Sequence, residues 1–342
     1  MEEVERGALG GLPALREVYL GANSLSTFPA SAFAPPLPAP GPTATSVLIG
    51  GDSDNAVGDV GGAGSCDLAN ADVSVRSGGS GVATLDLGFN SISLLHADDL
   101  RWLLELRTLN LSKNQMTEVS SGFLRGSRRL RRLLMSANRL MSVAGIFPED
   151  LGLLEALDLR SNYLSKLPAG NFANLTSLLL LNVADNQIAE VEDGAGLVNL
   201  TNLEFNNNYL HYASAGAVRS PPSSTPGELY LSVLDAGTFL PTPNLRYLDL
   251  GSNPLCGVEP ALLRPVPLLD ELHLRGVRLD DVAFLSRLNL SLLRVLRVSN
   301  NRVGEVSAAE LGALPPSSGC CRACSYSTSW ATPSPAAVTT RG

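Results

Sequence analysis

Aromatic residues are scarce in this 342-residue chain, at 5%, and charged residues reach only 17%. Histidine occurs three times, as His96, His211 and His273, and none lies in an HExxH pattern or beside a second ligand at metal-site spacing. No GxSxG nucleophile elbow and no GxxxxGK[ST] phosphate loop is present. GGDSDN at Gly50–Asn55 lacks the acidic residue that closes a calcium-binding loop. These absences predict neither catalysis nor a cofactor. Lysine and arginine number 25 against 33 aspartates and glutamates, for a net charge of −8. That balance supplies no basic footprint for nucleic acid. No apolar run approaches the roughly 20 residues needed to cross a bilayer, so no membrane span is expected. MEEVERGALGG is acidic where a secretion signal would be basic and then apolar. Of five cysteines, Cys320, Cys321 and Cys324 crowd together in CCRAC, which has neither a disulfide framework nor the two separated pairs of a zinc site.

What the chain does have is a repeat. LEALDLRSNYL, from Leu154, places apolar residues at Leu154, Leu157, Leu159 and Leu164, with Asn162 between the last two. The same LxxLxLxxNxL spacing begins at Leu15, Val82, Leu106, Leu130, Leu178, Leu200, Leu245 and Leu293, and a copy at Leu269 carries Val277 in place of the asparagine. From Val82 to Leu178 the step is always 24 residues, the next is 22, and Leu245, Leu269 and Leu293 again step by 24. Counting from the first leucine of a unit, position 14 is apolar in most copies (Phe28, Leu95, Val119, Val143, Leu167, Val191, Val258, Val282, Val306). Position 19 often holds a large apolar side chain, as in Phe33, Leu100, Phe172 and Leu311.

On these residues the chain resembles the leucine-rich-repeat family, in its 24-residue extracellular form, over most of the span from Met1 to about Leu314. Units such as FANLTSLLLLNVADNQI are similar to those of chaoptin-like, Toll-like and Slit-like ectodomains, and the long array is most like chaoptin. The resemblance implies an α/β-type solenoid, a horseshoe with a short-stranded parallel sheet on its concave face and irregular, 3-10 or short helical segments on its convex side. It also implies homophilic or heterophilic adhesion as the role.

The spacing supplies the physical reason. In LxL, alternate residues point to opposite sides of a strand, so the leucines face inward and their neighbours outward. One unit cannot bury its leucines alone; stacking on neighbours closes the core. The recurrent Asn (Asn90, Asn114, Asn138, Asn162, Asn186, Asn208, Asn253, Asn301) stands where the chain turns inward and can satisfy backbone groups there. Val277 cannot, which predicts a looser turn after Leu274.

Three stretches break the pattern. Between Leu15 and Val82 the spacing exceeds one period, and a Pro- and Gly-rich insert at about 34–80 is expected to be disordered, with partial order around Ser46–Ile49. Between Leu200 and Leu245, Leu231, Leu234 and Phe239 fall at positions 11, 14 and 19 of a further unit whose strand half is replaced by SPPSSTPGEL, giving a loop at about 214–230. Functional loops and translated intron sequence both fit these inserts. Residues 315–342 read as a disordered tail after a solenoid of residues 1–314. Met1 falls at position 11 of a unit, with Val4, Leu9 and Leu12 at positions 14, 19 and 22, so the start reads as part of a longer protein or an incomplete gene model.

Function then falls to surface. Position 5 on the inner face runs Tyr19, Asp86, Asn110, Leu134, Asp158, Asn182, Glu204, Asp249, His273, Arg297. Such a row is either simply solvated or a binding face; as contacts for a protein ligand we single out Tyr19, Asp86, Asp158, Arg160, Glu204, Tyr247, Asp249, His273 and Arg297. RGSRRLRRL clusters Arg125, Arg128, Arg129, Arg131 and Arg132 on an acidic protein, either as a site for an anionic partner such as sulfated glycan or as a solvated edge paired with nearby Glu. Glycosylation sequons stand at Asn174, Asn199 and Asn289, and a fourth at Asn110 faces the inner sheet. The sequence thus predicts a non-catalytic recognition module, extracellular or at the cell surface, binding a protein ligand or a second copy of itself. An intracellular, cytoplasmic scaffold that regulates an enzyme partner is the alternative.

Overall fold

The computed structural model describes residues 1, 3–35, 80–168, 170–191, 197–212, 233–234, 239, 242–255, 257–258, 260–288 and 290–304. The strands of its main sheet are three residues long, each placing one inward apolar residue between two outward ones before the chain turns. In chain order they begin β1 (Glu17–Tyr19), β2 (Thr84–Asp86), β3 (Thr108–Asn110), β4 (Arg132–Leu134) and β5 (Ala156–Asp158). There follow β6 (Lys166–Leu167), β7 (Leu180–Asn182), β8 (Glu190–Val191), β9 (Asn202–Glu204) and β10 (His211–Tyr212). The last are β11 (Val233–Leu234), β12 (Tyr247–Asp249), β13 (Glu271–His273) and β14 (Val295–Arg297).

One ten-stranded sheet runs β1-β2-β3-β4-β5-β7-β9-β12-β13-β14, parallel throughout. Every unit contributes its central apolar residue to the same row: Val18, Leu85, Leu109, Leu133, Leu157, Leu181, Leu203, Leu248, Leu272 and Leu296 stand in register. Both irregular spacings are absorbed without a break. β1 pairs directly with β2, and β9 directly with β12. The Leu20 N–H donates to the Asp86 carbonyl at 2.7 Å and the Phe205 N–H to the Asp249 carbonyl at 2.9 Å, as Leu159 does to Asn182 at 2.8 Å between regular units. The disorder expected at 34–80, 214–230 and 315–342 falls almost wholly outside the described residues. The expected extra unit keeps a trace: Leu234 lies in β11, paired with β10, and Phe239 is buried in the core.

That core is one apolar spine behind the sheet. Leu154, Leu157, Leu159, Leu164, Leu167 and Phe172 are all buried, and the cluster they belong to extends from Val18 to Leu290. Each such side chain contributes about 1.5–3 kcal/mol, and only because the next unit covers it. The convex side is closed by the pairs β6–β8 and β10–β11, by 3-10 turns at Ala30–Phe33, Glu149–Leu151 and Ala283–Arg287, and by one helical turn, Pro260–Leu263.

The asparagines form a ladder. Asn162 Nδ2 donates to the carbonyls of Met135 (3.1 Å), Leu159 (2.9 Å) and Arg160 (3.3 Å), while its Oδ1 accepts the Leu140 N–H at 3.1 Å. Thus each asparagine ties its own turn to the preceding unit; Asn253 does the same across the second irregular spacing, accepting the Leu210 N–H at 3.1 Å. The residue just before each asparagine is left-handed, with φ between 53° and 59° at Ala22, Phe89, Lys113, Ala137, Ser161, Asp185, Asn207, Ser252 and Asn300. For an L-residue that conformation costs about 1–2 kcal/mol, so the ladder is bought with backbone strain in every turn.

Val277 breaks the ladder, but not where the sequence suggests. The turn after Leu274 is closed differently from the others: Val277 is fully buried, Gly276 takes the left-handed position at φ 66°, Arg278 is left-handed too at φ 64°, and Asn301 Oδ1 accepts both the Val277 and Leu279 N–H groups. The missing acceptor is felt one unit earlier, where the Leu255 N–H donates to the Asn253 carbonyl instead of an asparagine side chain. Val277→Asn should therefore raise stability by about 1–2 kcal/mol in chemical denaturation, through two or three new buried bonds. It should also slow hydrogen exchange at Leu255. A loss of stability would contradict this reading of the ladder.

Candidate functional site

Because the strands are in register, the concave face is two parallel rows. Position 3 gives Glu17, Thr84, Thr108, Arg132, Ala156, Leu180, Asn202, Tyr247, Glu271 and Val295; position 5 gives the row from Tyr19 to Arg297. Tyr247 therefore belongs to a different row from Tyr19, beside rather than behind Asp249. Arg160 belongs to neither and sits beyond the strand end.

Many position-5 side chains have a structural task the sequence did not reveal. Asp86, Asn110, Asp158, Asn182 and Asp249 each accept, through Oδ1, the backbone N–H two residues on, at 2.8–3.0 Å. Short side chains with an oxygen at this reach close the strand-to-turn corner. Their amides also bridge units: Asn110 Nδ2 donates to Asp86 at 2.9 Å and Asn182 Nδ2 to Glu204 at 2.7 Å. A glycan on Asn110 would displace these bonds. For Asp86, Asp158 and Asp249, one carboxylate oxygen is thus committed to the backbone, and the second oxygen of Asp249 lies 3.6 Å from His273 Nδ1.

Tyr19 is the most open of the candidates, 66% exposed, its O–H donating to Glu17 at 3.1 Å. Arg160 is engaged: its Nε donates to Asp185 at 2.7 Å, and this bond holds the guanidinium above its ordinary value. Burial pushes the Asp185 carboxyl up, but bonds from Asn207 and Arg160 outweigh it and hold it low. At the other end, β9, β12 and β13 bring Glu204, Tyr247, Asp249, Glu271 and His273 together. The Tyr247 hydroxyl lies 3.2 Å from His273 Nδ1, with the rings edge-to-face at 4.9 Å. His273 Nδ1 is 3.6 Å from Asp249 and Nε2 is 3.5 Å from Glu271. Burial, then the carboxylates of Asp249, Glu204 and Glu271, push the Tyr247 phenol up to about 12. Burial and then Asp249 raise the Glu204 carboxyl. Arg297 is exposed on the next strand.

The arginine cluster is largely paired. Arg128 Nε meets Asp150 at 3.1 Å, Arg129 pairs with Glu105, and Arg131 with Glu155, all across unit boundaries. Arg132 is exposed on the concave face and Arg125 is exposed elsewhere. The edge is thus knitted by ion pairs, each of modest value in solvent. Asn199 is exposed and Asn174 half-buried; Asn289 lies outside the described residues. Among the described residues no group of His, Cys, Asp and Glu is arranged to hold a metal, and no helix is long and apolar enough to cross a membrane.

Comparison with known proteins agrees with the repeat. A leucine rich repeat family model matches residues 72–140 and 152–222, and a second matches 244–265. Human podocan-like protein 1 is 32% identical over 170 residues, which cover 47% of this chain and 32% of that protein. The chain thus spans about a third of the length of that relative. Among solved structures, the leucine-rich repeat domain of APL1B aligns over 90% of this chain and 68% of its own, with 18% identity and a TM-score of 0.59. A leucine-rich-repeat protein of Leptospira interrogans aligns over 66% of this chain and 50% of its own, with 22% identity and a TM-score of 0.52. At these identities the two structures share the fold with this chain. Unit length, the in-register row of apolar residues, the asparagine ladder and the matching family models all lead to one assignment: the chain is built of leucine-rich repeats folded as a solenoid.

Proposed function

We propose that this chain is a non-catalytic recognition module that binds another protein, or a second copy of itself, through its concave face, in cell adhesion or as a receptor-type ectodomain. Proteins of this family commonly act by binding other proteins, and are typically not enzymes. The observation that carries the reading is the continuous ten-stranded face, with large apolar side chains left open on it: Tyr19 at 66% and Leu180 at 46% exposure. Leu180 stands on β7, inside the sheet, and Tyr19 on its terminal strand β1; exposed tyrosine is a frequent energetic anchor of interfaces.

The test uses the whole chain coated on beads, scored for self-aggregation and for capture of a panel of cell-surface ectodomains. Tyr19→Ala combined with Leu180→Ala should lower the signal about tenfold or more, while Arg287→Ala on the convex side leaves it unchanged. Loss with the convex variant alone contradicts the concave face as the site. Passage through a secretory host should add glycan at Asn199, read as a glycosidase-sensitive mobility shift. A chain that neither aggregates, captures an ectodomain nor acquires glycan favours the intracellular scaffold.

A further inference from the structure

The end of the concave face built by β9, β12 and β13 is chemically unlike the rest. Asn202 and Glu204, Tyr247 and Asp249, Glu271 and His273 occupy adjacent strands in register, so six outward side chains form a compact block. Adjacent strands lie about 4.8 Å apart, which keeps the carboxylates of Glu204 and Asp249 within mutual repulsion. Asp158 adds to the same field. The cations that face it are few: Arg160 is bound to Asp185, and Arg297 stands on the outer side of His273. His273, between Asp249 and Glu271, is the titratable cation inside the block, and it faces the four carboxylates of Asp158, Glu204, Asp249 and Glu271.

A second observation is independent of the charge count. The His273 side chain is only 9% exposed, and its Nε2 is buried with no hydrogen-bond partner, facing Glu271 at 3.5 Å. A buried polar atom left unpaired costs about 1–3 kcal/mol, and an apolar residue at this position would avoid that cost. The imidazole packs edge-to-face against the half-buried Tyr247 ring.

We infer that this block receives a basic segment of the protein partner, with a lysine or arginine side chain held between Glu204, Asp249 and Glu271 and flanked by the Tyr247 ring. The inference rests on the concave-face reading above and names the chemistry that face selects. A cation placed here offsets the repulsion between Glu204 and Asp249, and a guanidinium or ammonium beside tyrosine gains a cation–π contact. Burial first, and then the neighbouring carboxylates, raise the Glu204 carboxyl and the Tyr247 phenol. Asp249 offers its second oxygen, 3.6 Å from His273 Nδ1, since the first accepts the Gly251 N–H.

The probes are octapeptides of arginine, lysine, serine and glutamate, titrated into the full chain at about 0.15 M salt, where surface charge beyond a Debye length is screened. The arginine and lysine peptides should bind and shift the NMR resonances of the His273 imidazole and the Tyr247 ring; the serine and glutamate peptides should do neither. The combined variant Glu204→Gln, Asp249→Asn and Glu271→Gln should weaken binding of the arginine peptide about tenfold or more. Each carboxamide keeps an oxygen for the Asn182 amide and the Gly251 N–H, so the corner geometry persists. Asp98→Asn, Glu118→Gln and Glu149→Gln remove the same charge away from the concave face and should leave the affinity within about twofold. Equal weakening by both sets, or resonances of His273 and Tyr247 that do not move, overturns the inference. If the acidic block is dispensable while Tyr19→Ala with Leu180→Ala still abolishes capture, only the basic anchor fails; if neither set matters, the concave-face reading fails with it.

Discussion

Asn162→Ala should lower stability by about 2–4 kcal/mol, and Asn162→Asp should lower it further, although aspartate is nearly isosteric with the native residue. The alanine variant orphans one group. Leu140 N–H loses its acceptor, whereas the Met135, Leu159 and Arg160 carbonyls keep other donors in Asn138, Asn186 and Ala137. One buried donor left unpaired, together with several lost bonds, sets the magnitude. The aspartate variant keeps an acceptor for Leu140 but turns a carboxylate oxygen toward three carbonyls at the distances now held by an amide. An unpaired buried charge costs more than a missing bond. Equilibrium denaturation of the three proteins gives the ranking; an aspartate variant as stable as wild type would show that the amide is not the donor in this ladder.

Leu159→Ala should cost about 2–5 kcal/mol, because the side chain is fully buried and the turn around it cannot collapse to fill the cavity. The distribution of the loss matters more than its size. In a solenoid each unit touches only its neighbours, so amides in β4, β5 and β7 should lose protection first while Leu272 and Leu274, several units away, keep theirs. Uniform loss across the chain would mean that the array unfolds as one globular body.

Much of this architecture is legible in the sequence, since the strand, the inward leucines and the asparagine all recur at a fixed spacing and are imposed by burial. Other features carry no such signal. Alanine, phenylalanine, lysine and serine at 22, 89, 113 and 161 are not residues that announce a left-handed backbone; the ladder forces it on them. Asp86, Asp158 and Asp249 read in the sequence as solvated positions or as ligand contacts, and only the N–H two residues on shows that they cap the corner. The block of Glu204, Tyr247 and His273 is hidden by the irregular spacing between Leu200 and Leu245, which separates in sequence two strands that touch. Tyr247 is further obscured because it occupies position 3, in a row the eye does not follow when reading position 5.

The central claim is that repeats on either side of the irregular spacings share one sheet and present one face. Cross-strand nuclear Overhauser contacts test it most directly. Contacts linking Leu203 with Leu248 and Val18 with Leu85 should be as strong as those linking Leu157 with Leu181, because all three pairs stand in the same parallel register. Absence of the first two while the third persists, or a shifted register at either junction, would divide the face into separate arrays and contradict the account.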